Sequence, residues 1–142
     1  MSFISHKNTR GQILMLDYIW QEHQAVSNEY LAFKLHTELE RIISASPLKI
    51  VHKNVCLLPI KGHDSEIGST GYFSLDSSHC AFHVYYDSKL LALDLFGCGE
   101  ANLGEIANEI DDALKLINPT FMKVWLGSQR RFHYPVDAIA DC

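Results

Sequence analysis

A hydroxyl, an imidazole and a thiol stand close together in the middle of this 142-residue chain: Ser78, His83 and Cys98. The first two lie in LDSSHCAFHVYY (Leu75 to Tyr86). The third lies in LDLFGCGE, where a glycine on each side lets the backbone approach closely and exposes the sulfur. His83 follows Ser78 by five residues and Cys98 follows it by twenty. A serine hydroxyl is a latent nucleophile, a near-neutral imidazole a base and a thiol a proton carrier. Taken singly, each also has a structural reading: a turn serine, a hydrogen-bonded core histidine and a small buried cysteine.

Strands must position these groups. Cys80, Phe82, Val84 and Tyr86 alternate with Ala81, His83 and Tyr85, a strand pattern over His79 to Tyr86. Strand parity puts Ser78 and His83 on opposite faces, so joint action requires a turn or bulge after Ser78, or a chain end that bends back. Further strands are expected at Gly11–Trp20, at LKIVHKNVCLLP up to Pro59, at Thr70–Leu75, at Leu90–Phe96 and at FMKVWLGS. From Glu22 to Ala45, Val26, Tyr30, Leu31, Leu35, Leu39, Ile42 and Ile43 recur at helical spacing, opposite Glu29, Lys34, Glu38 and Arg41. Leu103, Ile106, Ile110, Leu114 and Ile117 mark a second amphipathic helix, closed by Pro119. KGHDSEIGS reads as a polar loop, YDSK as a short turn, GCGE as a strand breaker and QRRFHYPVDAIADC as a polar tail. The order is β-α-β-β-β-β-α-β. Hairpin-length links imply a largely antiparallel sheet, and two helices with one apolar face each cover one side of it. The fold class expected is an α+β two-layer sandwich in one domain, residues 1–142. Its second sheet face is left open to solvent or to another subunit.

Composition narrows the function. Hydrophobic residues make up 47% and charged ones 20%, which marks a globular chain, and a net charge of −5 argues against a nucleic-acid partner. Apolar runs such as LLALDLF fall far short of the roughly 20 residues of a membrane span, and MSFISHKNTRGQ lacks an apolar signal core, so a cytoplasmic location is expected. Cys56, Cys80, Cys98 and Cys142 form no CxxC pair; free thiols and no metal are expected. His79 and His83 share a strand face but lie about 13 Å apart, too far for one zinc ion.

SSHCAFH, followed by DLFGCGE at the same separations, resembles the bacterial-type S-adenosylmethionine decarboxylase family of pyruvoyl-dependent proenzymes. GQILMLD resembles the family's first strand, and STG, with Thr70 in place of a serine, also fits. The resemblance implies self-cleavage between Ser77 and Ser78 into a β chain, 1–77, and an α chain, 78–142. Ser78 would become a pyruvoyl group that forms a Schiff base with the substrate amine. It further implies His83 as the base in processing, Thr70 as its support and Cys98 as the proton donor after loss of CO2. Neither metal nor pyridoxal phosphate is needed. A homodimer with sites near the subunit interface, and a product used in spermidine and other polyamine synthesis, also follow from the resemblance.

The chain departs from the family pattern at Ser77, where Glu is usual, and at the recognition positions. Leu58 stands before Pro59 where an aromatic residue is usual, Tyr85 where Trp is, and Asp87 where Glu is. Glu100 joins Leu58, Tyr85 and Asp87 as a candidate substrate contact, because Asp87 or Glu100 could face a distal positive charge if the substrate were L-ornithine or L-arginine. Cleavage at Asp76–Ser77 and an unprocessed, non-catalytic paralogue are the remaining alternatives.

Overall fold

Nine-residue alternation starts the chain's first strand, β1 (Gly11–Ile19), in which Leu14, Leu16 and Tyr18 are buried and Asp17 is exposed. Then follow α1 (Asn28–Ser44), β2 (Ile50–Leu58), β3 (Gly68–Leu75), β4 (Ser78–Tyr85), β5 (Leu90–Cys98), α2 (Leu103–Ile117) and β6 (Met122–Arg131). The computed structural model describes residues 11–24, 26–98 and 101–131. The strands form one six-stranded sheet in the order β2-β3-β4-β5-β1-β6, and every neighbouring pair is antiparallel.

Both helices lie on one face, as their apolar stripes require. Leu31, Leu35, Leu39, Ile42 and Ile43 of α1 and Leu103, Ile106, Ile110 and Leu114 of α2 meet Phe73, Phe82, Leu91, Leu93 and Leu95 of the sheet. This is the α+β two-layer sandwich. The opposite face is uncovered and exposes large apolar side chains, among them Tyr72, Tyr85, Leu90, Met122 and Trp125. None of the described helices is long and apolar enough to cross a membrane.

Three of the boundaries that differ from the sequence pattern do so for a clear local reason. The first helix starts at Asn28, because Gln24 has a left-handed φ of 57° and Ser27 caps the helix, its Oγ accepting the Tyr30 amide at 3.0 Å. β5 runs past Phe96 to Cys98, because Gln12 and Gly11 of β1 continue the pairing with Gly97 and Cys98. β6 takes in Gln129, Arg130 and Arg131, expected in the tail, for the same reason: β1 supplies Ile13, Gln12 and Gly11 as partners. A side chain on Gly97 would come within 2.5 Å of Leu103, so this glycine lets α2 seat directly on the end of β5.

Candidate active site

The Ser77–Ser78 bond sits where β3 turns into β4. Leu75 pairs with Ser78, which leaves Asp76 and Ser77 as a two-residue turn. Ser77 carries a φ of 64°, the left-handed region that side-chain-bearing residues seldom adopt. Ser78 is buried, and its Oγ accepts a hydrogen bond of 3.1 Å from the backbone N–H of Cys98. The end of β5 thereby holds the hydroxyl beside the bond that joins it to Ser77.

The backbone of Cys98 thus lies beside the Ser78 hydroxyl. Cys98 itself is disulfide-bonded, which corrects the expectation of free thiols at that position; Cys56 and Cys80 are free. The thiol of Cys80, two residues beyond Ser78, is wholly buried on the helix side. Burial, reinforced by the Asp94 carboxylate, pushes it up to about 12, so it stays protonated and inert.

His83 and Thr70 form a second pair. They are direct cross-strand neighbours on β4 and β3, and Thr70 Oγ1 lies 3.0 Å from His83 Nδ1. His83 is exposed on the uncovered face. The register of β4 with both neighbours is unbroken from His79 to Tyr85, so no bulge turns His83 towards Ser78. At the usual strand rise, five residues separate the two by about 17 Å, and they face opposite sides. Within one chain the expected four-residue site is therefore two pairs, Ser78 with Cys98 and Thr70 with His83.

The candidate substrate contacts gather at the far end of the sheet. Leu58 and Tyr85 both pair with Gly68, so they flank it on the uncovered face. A side chain on Gly68 would lie 1.9 Å from the Val84 carbonyl, which keeps the gap between them unfilled. Asp87, in the turn after β4, lines a cavity of about 610 Å³ together with Trp20, Glu22, Tyr86 and Phe121. Glu100 lies outside the described residues.

His79, conspicuous in the sequence but without an assigned role, stacks on Tyr72 with centroids 6.1 Å apart and tilts against Phe96 at 5.5 Å. The Arg131 guanidinium covers the other ring of this row, 4.9 Å from the Phe96 centroid. Sequence inspection missed the special backbone of Ser77 and the Cys98 amide. A two-residue link between strands hints at the first; the second leaves no side-chain signal. Among the described residues no three His, Cys, Asp or Glu side chains gather as a metal site.

A buried serine beside a tight turn, on a six-stranded antiparallel sheet backed by two helices, defines the class: a two-layer α+β sandwich. The S-adenosylmethionine decarboxylase family profile matches residues 22–125, and the chain belongs to that family. Its fold is shared with the crystal structure of the adenosylmethionine decarboxylase from Aquifex aeolicus VF5, with a TM-score of 0.55 and 16% identity. That likeness covers 95% of this chain and 99% of the other. No curated protein sequence matches the chain.

Proposed function

We propose that this family member is a pyruvoyl-dependent decarboxylase that cleaves itself between Ser77 and Ser78 and acts on S-adenosylmethionine, as a step towards spermidine and other polyamines. One observation carries the reading: the Ser78 hydroxyl is held by the Cys98 amide immediately beside a peptide bond in a tight turn. The residues fit a pyruvoyl group made from Ser78. The hydroxyl is oriented and buried, and cleavage there frees residue 78 as a chain end that can swing to the uncovered face. A pyruvoyl carbonyl supplies the electron sink for loss of CO2.

The chain's own residues do the rest. Ser78 Oγ attacks the Ser77 carbonyl carbon, and His83, oriented by Thr70, removes the Ser78 α-proton during the elimination that severs the chain. Cys98, in its reduced form, returns a proton to the substrate carbon after CO2 has left. The substrate amine end lies by residue 78, while Leu58, Tyr85 and Asp87 contact its far end.

Since one chain keeps Ser78 and His83 apart, the reading requires two copies. A homodimer packed through the uncovered faces would let His83 of each copy serve residue 78 of the other. The exposed apolar side chains there support such a contact, since contiguous patches of this kind mark interaction surfaces. Asp87 follows Tyr85 by two residues, in the turn after β4. Its cavity of about 610 Å³ favours an adenosyl group over the short chain of ornithine or arginine.

Denaturing electrophoresis with mass analysis tests the chemistry. Fragments of about 9 and 7 kDa are expected from the 16.1 kDa chain, the smaller blocked by pyruvoyl at residue 78. Release of CO2 from S-adenosylmethionine, ornithine and arginine, assayed in parallel, tests the substrate. A single intact band with no CO2 from any of the three overturns the enzyme reading in favour of a non-catalytic paralogue; CO2 from ornithine or arginine alone overturns the substrate.

A further inference from the structure

Ser77 occupies the one place in the β3–β4 hairpin where the backbone is left-handed, with a φ of 64°. For an L-residue other than glycine this conformation brings Cβ against the following carbonyl and is unfavourable. Glycine or asparagine would fill such a position at little cost. The chain has neither there, although the side chain of Ser77 is exposed and meets no packing demand. The turn also cannot relax by itself. Asp76 is tied by its N–H to the Lys49 carbonyl at 2.9 Å, and Ser78 is pinned by the Cys98 amide at 3.1 Å. Leu75 and Ser78 pair across the hairpin. Backbone strain is therefore confined to the residue whose carbonyl the Ser78 hydroxyl must attack.

We infer that Ser77 is a positioning residue for self-processing: its left-handed backbone strains the Ser77–Ser78 peptide in the intact chain, and transfer of the Ser77 acyl group to Ser78 Oγ releases that strain. The inference rests on the self-cleavage reading above. In the transfer, a bond forms between Ser78 Oγ and the Ser77 carbonyl carbon. The bond from that carbon to the Ser78 nitrogen breaks, and the hydroxyl proton ends on the nitrogen. No oxidant or co-reactant is consumed. The path from the Ser77 carbonyl carbon to Ser78 Cα grows from one intervening atom, N, to two, Oγ and Cβ. A two-residue turn lengthened by one atom no longer has to hold its second residue left-handed. Strain present in the amide and absent from the ester favours the forward step.

The test follows cleavage of freshly purified intact chain by electrophoresis for wild type, Ser77→Ala, Ser77→Asn and Ser77→Gly. Ser77→Gly should cleave about fivefold or more slowly, the rate equivalent of the lower bound on left-handed strain. Ser77→Asn, which tolerates the same backbone and keeps a side chain, should fall between and serves if the glycine variant fails to fold. Ser77→Ala, which keeps the strain and loses the hydroxyl, should match wild type. Melting temperature in a Ser78→Ala background gives the second readout. A loosened hairpin would lower it, whereas relief of strain leaves it unchanged or higher in the glycine variant. Ser77→Gly cleaving at the wild-type rate overturns the inference, and so does Ser77→Ala cleaving as slowly as Ser77→Gly. Both results leave self-cleavage standing. A wild-type chain that never cleaves overturns the self-processing reading and this inference with it.

Discussion

Ser78 and His83 stand five residues apart on one unbroken strand and face opposite sides of the sheet. The first is buried and bonded to the Cys98 amide, while the second is exposed and paired with Thr70. No side-chain rotation closes a gap of about 17 Å along a paired strand. Under the proposed function, a reaction that needs both groups takes them from two chains.

Complementation between inactive variants follows from this. Ser78→Ala and His83→Ala should each remain uncleaved when expressed alone. Co-expressed with distinguishable tags, the His83→Ala chain should be cut, because a Ser78→Ala partner lends it an intact imidazole. Absence of cleavage in a confirmed mixed dimer would place the base within the same chain.

The hydrogen bond between Thr70 and His83 orients the ring proposed as the base. Thr70→Val should slow processing about tenfold, the worth of one hydrogen bond at the upper end of the usual range. Thr70→Ser, which keeps the hydroxyl, should process at close to the wild-type rate. Equal rates in the valine variant and wild type, from a time course of intact chain, would remove Thr70 from the site.

Removing the sulfur separates processing from turnover. Cys98→Ala keeps its backbone N–H and so should still cleave, yet its turnover should fall by about a hundredfold or more, as for loss of a general acid. Because Cys98 is disulfide-bonded in this structure, wild-type turnover should also rise with added reductant. A variant with full turnover, measured as CO2 released per pyruvoyl-bearing chain, assigns the proton to another group.

Acid sensitivity centres on His36. Its ring stacks on Phe73 at 4.5 Å, and its Nε2 is buried with no partner among the described residues. Burial lowers its pKa below the ordinary 6.5, assisted by Lys53 and opposed by Glu40. The unfolded chain therefore binds the extra proton first. The stability that His36 contributes is fully present above about pH 6.5 and is lost as pH falls towards its folded value. In a Ser78→Ala background, His36→Leu should lose less melting temperature than the parent between pH 7.5 and 5.5. Parallel losses in the two proteins would rule His36 out as the cause.

Much of the fold is legible in the sequence because periodicity is a local property. Two-residue alternation from Cys80 to Tyr86 and helical spacing from Leu103 to Ile117 locate β4 and α2 closely, and the single apolar stripe of each helix requires one covered sheet face. Boundaries are less legible where pairing rather than composition decides them. Arg130 and Arg131 look like tail residues yet lie in β6, because β1 offers them partners. Glu22 extends an apolar helical pattern yet lies outside α1, because Ser27 supplies the cap.

The candidate site divides along the same line. The sequence by itself determined which residues are candidates for chemistry, since Ser78, His83 and Cys98 and their spacings lie within a short stretch of chain. It also determined that Ser78 and His83 have opposite parity, a consequence of the two-residue repeat of a strand. Only the tertiary structure decided which groups meet. Cross-strand register sets Thr70 beside His83, and the length of β5 brings the Cys98 amide to the Ser78 hydroxyl. The absence of a bulge in β4 keeps the two pairs apart, and the hairpin's two-residue closure forces Ser77 into a left-handed backbone. These relations depend on contacts between distant segments, so no local pattern encodes them.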